Sequence, residues 1–461
     1  LSVPQRATIT NMGAELGVTT SIFPSDEQTE RFLAAQKRDK DYQSLAADPD
    51  AEYDRVIEIK LDELEPMAAC PSSPDNVKTI RQIAGLETGQ VAIGSCTNSS
   101  FADLMMVSTV LKGRRINEMV EFAIAPGSRE VLNMLADNGA LSGMICAGAR
   151  ILESGCGPCI GQGFSPANGV VSLRTFNRNF AGRTGTKGDQ AYLVSPETAV
   201  ASALTGTITD PRDLPELFGL KYPKIELPVE FTINDNMIEA PLSEEVAAVG
   251  AVRELPVLRG PTIVGLQTPK PLPDKLAGEV LLKCGDKITT DHIMPAGTFL
   301  KLRSNVPEYA KAVFNCFNEE GKPTFADRAL ELKKKGTAGI IVAGESYGQG
   351  SSREHAALCP MYLGVRAVIA KSIERIHKAN LINFCIVPIE FADPAHYDKI
   401  EQDDELQIDG LLEAIKSSDT VKVVKTGGSF EFTGKLELSG RDREILLSAG
   451  LLNFTRKRAG Q

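Results

Sequence analysis

The sequence contains no tryptophan, and aromatic residues make up only 6% of its 461 positions. It has four histidines, at 292, 355, 377 and 396, and none lies close enough in sequence to a cysteine pair to complete a four-ligand zinc set. No run of eighteen apolar residues occurs, which argues against a membrane-spanning helix. A basic region followed by an apolar stretch, the mark of a secretory signal, is also missing. Positive charge is in deficit: 50 Lys and Arg against 60 Asp and Glu give a net charge of -10. That balance disfavours non-specific nucleic-acid binding, and it means that an anionic substrate needs a locally built cationic pocket. Internal repeats and low-complexity tracts are absent. The chain opens on Leu1 rather than Met, and is expected to be processed or truncated at its start.

What is present fits an ordinary globular protein, with 42% hydrophobic and 24% charged residues. The length exceeds one compact core, so two to four domains are expected. Residues 1–73 open with a helical pattern over Ala7–Gly17 and a second one near Asp26–Ser44. From 74 to 228 short apolar runs alternate with helical patterns, which predicts βα units and a largely parallel sheet. Seven prolines between 228 and 273 mark a linker over 229–277. A second α/β pattern fills 278–461, with strands expected at Gly339–Ala343 and Ala367–Ala370.

Nine cysteines, odd in number and widely spaced, argue against a disulfide framework and for a reducing compartment. Cys146 and Cys385 lie in apolar surroundings and read as small buried hydrophobes. The chemical signal is Gly94-Ser95-Cys96-Thr97-Asn98 together with Cys156-Gly157-Pro158-Cys159. Zinc, a redox dithiol and an iron–sulfur cluster all use C-x-x-C pairs. Three thiolates, one after a strand and two in a glycine-rich turn, suit a [4Fe–4S] cluster with one iron left open, because electron-transfer clusters usually take four cysteines. An open iron acts as a Lewis acid toward a hydroxyl or carboxylate.

These segments resemble those of the aconitase family. Ile93–Ser100 and Cys156–Gln162 are similar to its cluster-binding segments, and Thr175–Arg183 to the stretch that follows them. Thr289-Thr290-Asp291-His292-Ile293 resembles the start of its C-terminal domain, and Tyr347–Leu358 its catalytic-serine loop. The resemblance runs the length of the chain in the family's order. It implies α/β domains of three layers around a [4Fe–4S] cluster, with a swivelling C-terminal domain on a long linker. It also implies isomerisation of citrate and isocitrate through cis-aconitate, in the cytoplasm or, in a eukaryote, the mitochondrial matrix. Family members carry a further N-terminal segment with active-site histidines, which is expected to complete the site.

The resemblance assigns the cluster to Cys96, Cys156 and Cys159. Asn11 and Glu15, four apart and so on one helix face, are implied to face the open iron, with Glu15 binding the hydroxyl. Asn98 and Asn177 are implied supporting partners of the cluster. Arg178, Arg183, Arg303 and Arg353, with Ser352, are the implied carboxylate clamp for a tricarboxylate, a role that suits the planar guanidinium fork. Ser351 is the implied base. Ser351-Ser352-Arg353-Glu354 also reads as a capping box at a helix start, itself an anion site. Asp291 is implied at the active site. A homoaconitase or isopropylmalate isomerase, and an RNA-binding form lacking its cluster, are the alternatives.

Overall fold

The computed structural model describes residues 1–18, 20–241, 243, 258–350, 352–428 and 430–460. The chain divides into two compact units, residues 1–249 and 250–461.

The first unit opens on the helix Val3–Glu15. Its start is set by Ser2 and Gln5 in a capping box and by Pro4 in the first turn, four residues before the apolar pattern predicts. The next helix is shorter than its charged pattern suggests. Asp26 caps it by accepting from the amides of Gln28 and Thr29, and it ends at Ala35. Lys37 then takes a left-handed backbone, φ 59°, which no helix can propagate through.

Seven strands form the sheet of this unit: β1 (Met67–Ala69), β2 (Val77–Thr79), β3 (Gln90–Gly94), β4 (Glu121–Ala125), β5 (Arg150–Ile151), β6 (Val171–Arg174) and β7 (Gln190–Leu193). Their order is β2-β1-β7-β6-β3-β4-β5. The run from β7 to β5 is parallel, and β1 and β2 add an antiparallel edge. Strand alternation sorts two faces. Val91, Ile93, Leu173 and Ile124 face a core built with the helices Phe101–Leu111, Ala140–Ala147 and Pro196–Thr205. Ala92 and Ala123 face the other way, where they pack with Cys159, Phe164 and Phe176. The two alanines leave room for a loop to lie on the sheet.

Residues 51–60 adopt neither helix nor strand. Val56, Ile57 and Ile59 there are 79%, 67% and 62% exposed, and Leu61 and Leu64 just beyond are 63% and 57% exposed.

The second unit is built on a closed seven-stranded barrel, a closure that no local pattern announces. Its strands are β8 (Leu276–Lys283), β9 (Ala338–Ala343), β10 (Val365–Ala370), β11 (Val387–Phe391), β12 (Glu405–Ile408), β13 (Thr420–Lys425) and β14 (Glu431–Lys435), in the order β10-β11-β14-β13-β12-β8-β9. Ile340 and Val342 enter one core, and their neighbours Ile341 and Ala343 enter another shared with the helices Phe325–Lys335 and His355–Leu363. Among the described residues no helix is long and apolar enough to cross a membrane.

Candidate active site

Parallel strands present their carboxyl ends along one edge, where backbone groups run out of ladder partners and loops are free to carry function. Cys96 follows β3, Cys156 and Cys159 follow β5, and Asn177 and Arg178 follow β6.

At the end of β3 the chain must leave the sheet at once. Gly94 has φ +141°, and a Cβ there would lie 2.1 Å from the Ala125 carbonyl oxygen, so only glycine fits. Thr175 Oγ1 accepts from the Gly94 amide at 2.8 Å, joining the loops after β3 and β6. Ser95, left-handed at φ 67°, then turns Cys96 into solvent. The hydroxyls of Ser95 and Thr97 flank its sulfur at 3.9 and 3.8 Å. Cys156 is exposed and caps the short 3₁₀ turn Gly157–Ile160, whereas Cys159 is buried within that turn.

The first helix brings in the residues most distant in sequence. Asn11 Oδ1 accepts from Thr97 Oγ1 at 3.3 Å and from Asn177 Nδ2 at 3.1 Å. Glu15 takes both ends of the Arg178 fork, Nε at 3.0 Å and Nη2 at 2.8 Å, and also accepts from Asn177 Nδ2 at 3.3 Å. The Glu15 side chain is 2% exposed. Thr8 Oγ1 donates to the Thr97 carbonyl at 2.8 Å, and Asn98 Nδ2 to the Thr175 carbonyl at 3.1 Å. Arg183 is buried and donates from Nη2 to Cys159 Sγ at 3.3 Å. Asn11, Glu15, Asn98, Asn177, Arg178 and Arg183 are thus tied by direct contacts to the two cysteine-bearing loops or to one another. Three residues that the motif reading passed over are part of the same construction: Thr97, Thr175 and Arg174. The strand Val171-Ser172-Leu173-Arg174 alternates apolar and polar residues, which marks Arg174 only as one of two polar residues on a single face.

The donor set fits an iron–sulfur cluster. All three thiols are free. Among the described residues no three His, Cys, Asp or Glu side chains converge as on a single metal ion. A cubane asks for something else, since each cysteine holds a different iron and the sulfurs ring the cluster. Buried polar atoms without a partner among the described residues also lie in these segments: Ser154 Oγ, Asn177 Oδ1 and Arg183 Nε. Such atoms call for a polar occupant. Cys146, by contrast, is exposed rather than buried as its apolar neighbours suggested. Its helix turns Ala140, Met144 and Ala147 inward and leaves Ile145 and Cys146 on the outer face.

In the second unit Ser351 lies outside the described residues, but the loop leading to it is fixed. The Gly348 amide donates to the Ile288 carbonyl at 2.7 Å, Tyr347 to the Ser372 carbonyl at 3.0 Å, and Thr290 to the Gln349 carbonyl at 2.9 Å. Beneath Gly348 sits His377, wholly buried, with neither ring nitrogen partnered among the described residues. Burial pushes its pKa down to about 3, so the ring is neutral. The helix after the loop starts at His355 with Glu354 as its cap, so the capping box read at Ser351 does not form its first turn. Arg353 is held by Asp291 at 2.7 Å and by the carbonyls of Thr290 and Met294. Asp291 sits in a short helix capped reciprocally by Thr289 and His292. Ser352 and Arg303 are exposed, and the Arg303 carbonyl meets His355 Nε2 at 2.9 Å.

Fold and site together define an α/β protein with thiols and guanidinium groups gathered at the carboxyl ends of a parallel sheet. Residues 1–206 match the model of the aconitase family (aconitate hydratase), and residues 298–394 match that of the aconitase C-terminal domain. The chain belongs to the aconitase family. It is 33% identical to a probable mitochondrial aconitate hydratase of Dictyostelium discoideum, over 98% of this chain and 65% of that protein. It is 34% identical to the mitochondrial aconitate hydratase of Schizosaccharomyces pombe, over 95% of this chain and 61% of that protein. The chain therefore spans less than two thirds of the length of these relatives. Among solved structures, a 3-isopropylmalate dehydratase from Methanocaldococcus jannaschii matches 40% of this chain at 32% identity, with a TM-score of 0.32.

Proposed function

We propose that this chain forms the larger part of an aconitate hydratase, a hydro-lyase that interconverts citrate and isocitrate through cis-aconitate. The observation that carries the reading is the hydrogen-bonded chain Thr97–Asn11–Asn177–Glu15–Arg178. It ties a helix at the start of the sequence to the Cys96 loop and to the segment after β6. Cys96, Cys156 and Cys159 would hold a [4Fe–4S] cluster, which when bound supplies an open iron as a Lewis acid for a substrate hydroxyl and carboxylate.

The remaining work falls to side chains. Glu15, fixed by the Arg178 fork and Asn177, presents an oriented carboxylate to the hydroxyl or to water. Arg178 and Arg183 offer guanidinium groups to substrate carboxylates, and the family resemblance implies a carboxylate-binding role for Arg303, Ser352 and Arg353 as well. Ser351 Oγ, as its alkoxide, takes the proton from the carbon beside a carboxylate, and Arg353, two residues on, favours that alkoxide before the transfer. Asp291 holds Arg353, so substrate binding there competes with an internal carboxylate. The N-terminal segment of longer family members would supply the acid for the departing hydroxyl. The relatives named above are mitochondrial, and the matrix is the compartment that this reading favours.

The test is anaerobic reconstitution of the chain with iron and sulfide, read by iron content and visible absorption with and without citrate. A cluster spectrum that citrate perturbs is expected, and Cys156→Ser should abolish it. A full cluster in C156S, or none in the unaltered chain, would count against the assignment. Comparing citrate with homocitrate and isopropylmalate as perturbants separates the aconitase from its relatives.

A further inference from the structure

Among the described residues Arg174 is the largest fully buried side chain, with 0% exposure. The register that places Ala92 opposite Arg174 and Gln90 opposite Ser172 puts these four on the sheet face that carries the cysteine turn. Four donor contacts are made there, all to neutral acceptors. Nε donates to Ser172 Oγ at 3.0 Å, and Nη2 to Gln90 Oε1 at 2.9 Å. Nη1 donates to the Pro158 carbonyl at 2.6 Å and Nη2 to the Phe164 carbonyl at 2.9 Å, so the fork grips the cysteine turn on both sides of Cys159. The Phe176 ring lies 5.5 Å below the guanidinium carbon.

What this cation lacks is an anion. No carboxylate among the described residues is hydrogen-bonded to it. Asp189 already accepts from the Gly182 amide at 2.9 Å and from the Thr184 amide and hydroxyl at 3.0 and 2.6 Å. Arg183 adds a second buried guanidinium rather than a counter-charge. A buried charge without a partner is costly unless something anionic completes the site.

We infer that Arg174 is a positioning residue for the cluster site: its fork sets the Cys156–Cys159 turn, and its charge offsets that of the thiolate-held cluster. The inference rests on the cluster reading above. A merely structural staple would fix the turn without touching the electronics of what the turn holds. A buried positive charge beside a cluster makes the more negative, reduced form easier to reach, and so raises the reduction potential.

The test uses the full chain, reconstituted anaerobically, as wild type, R174K and R174M. Two quantities are read: the rate of iron loss to a chelator, and the potential by redox titration followed by electron paramagnetic resonance. R174M should lose iron roughly tenfold faster or more, as other losses of groups supporting a metal site do, and its potential should move negative. R174K keeps the charge but not the two-sided grip, so iron loss should speed up while the potential stays near wild type. A wild-type potential in R174M overturns the electrostatic role, and a wild-type loss rate in R174M overturns the grip. Should R174M fail to fold, R174K decides: an unchanged loss rate or a clearly negative shift overturns the inference. Wild type that takes up no cluster removes the cluster reading and this inference with it.

Discussion

Replacing Arg178 by methionine tests the ion pair that fixes Glu15. The Glu15 side chain is 2% exposed and that of Arg178 17%, so the carboxylate is the more deeply committed partner. Methionine leaves that carboxylate in place with Asn177 Nδ2, at 3.3 Å, as its one remaining side-chain donor among the described residues. Removing one partner of a fully buried pair costs about 3–5 kcal/mol. The partial exposure of Arg178 lets water reach the gap and reduces this to about 2–4 kcal/mol. For a unit of this size that corresponds to a fall in melting temperature of roughly 5–12 °C. E15Q should cost less, about 1–2 kcal/mol, because Arg178 can turn its free end to water. The assay is urea unfolding at neutral pH of R178M, E15Q and the double variant E15Q/R178M. The double variant should be more stable than the sum of the single losses predicts. Equal losses for the two single variants, or a coupling below about 0.5 kcal/mol, would refute the argument.

Acid should expose His377. The folded protein keeps this ring neutral down to about pH 3, whereas an unfolded chain protonates it below 6.5. The unfolded state therefore binds more protons in that window, and stability falls as the pH drops from 6.5 toward 3, by about 3 kcal/mol at pH 4. H377F should lack this part of the slope, and identical acid-unfolding curves for the two proteins would remove the claim. G348A should be strongly destabilising, because φ is +87° and a Cβ would meet the His377 ring at 2.3 Å. Combining it with H377A relieves the overlap, so G348A/H377A should unfold at higher urea than G348A alone. A double variant no better than the single one contradicts the packing described here.

The elements that could be read from sequence were those whose signals are local. The strands Gly339–Ala343 and Ala367–Ala370 were visible as apolar runs, and the cysteine loops as glycine-rich punctuation. The first helix was visible too, but its true start lay in the Ser2–Gln5 capping box rather than in the apolar pattern. Pairing across the chain was not legible. Arg178 meets Glu15 across 163 positions, and Arg353 meets Asp291 across 62. Nothing near Asp291 says that its partner is a residue read as a substrate clamp. Arg174 was hidden for another reason: its importance lies in the missing carboxylate, and a sequence shows which charges exist without showing which of them are paired. The charged pattern near Asp26–Ser44 misled in the opposite sense. Helix-favouring composition continues past Ala35, but the backbone of Lys37 decides where the helix stops.

The bare stretch around residues 53–64 governs how the chain behaves in a test tube. Val56, Ile57, Ile59, Leu61 and Leu64 each hold a large hydrocarbon surface in water, and covering such a side chain gains about 1.5–3 kcal/mol. Five of them in nine positions, with Glu58, Lys60, Asp62 and Glu63 in between, leave an uncovered apolar margin, and exposed apolar surface is where protein molecules associate. Concentration then becomes a variable of the experiment. Dilute solutions favour single molecules, concentrated ones favour clusters joined along this margin, and light scattering should rise faster than in proportion to the amount dissolved.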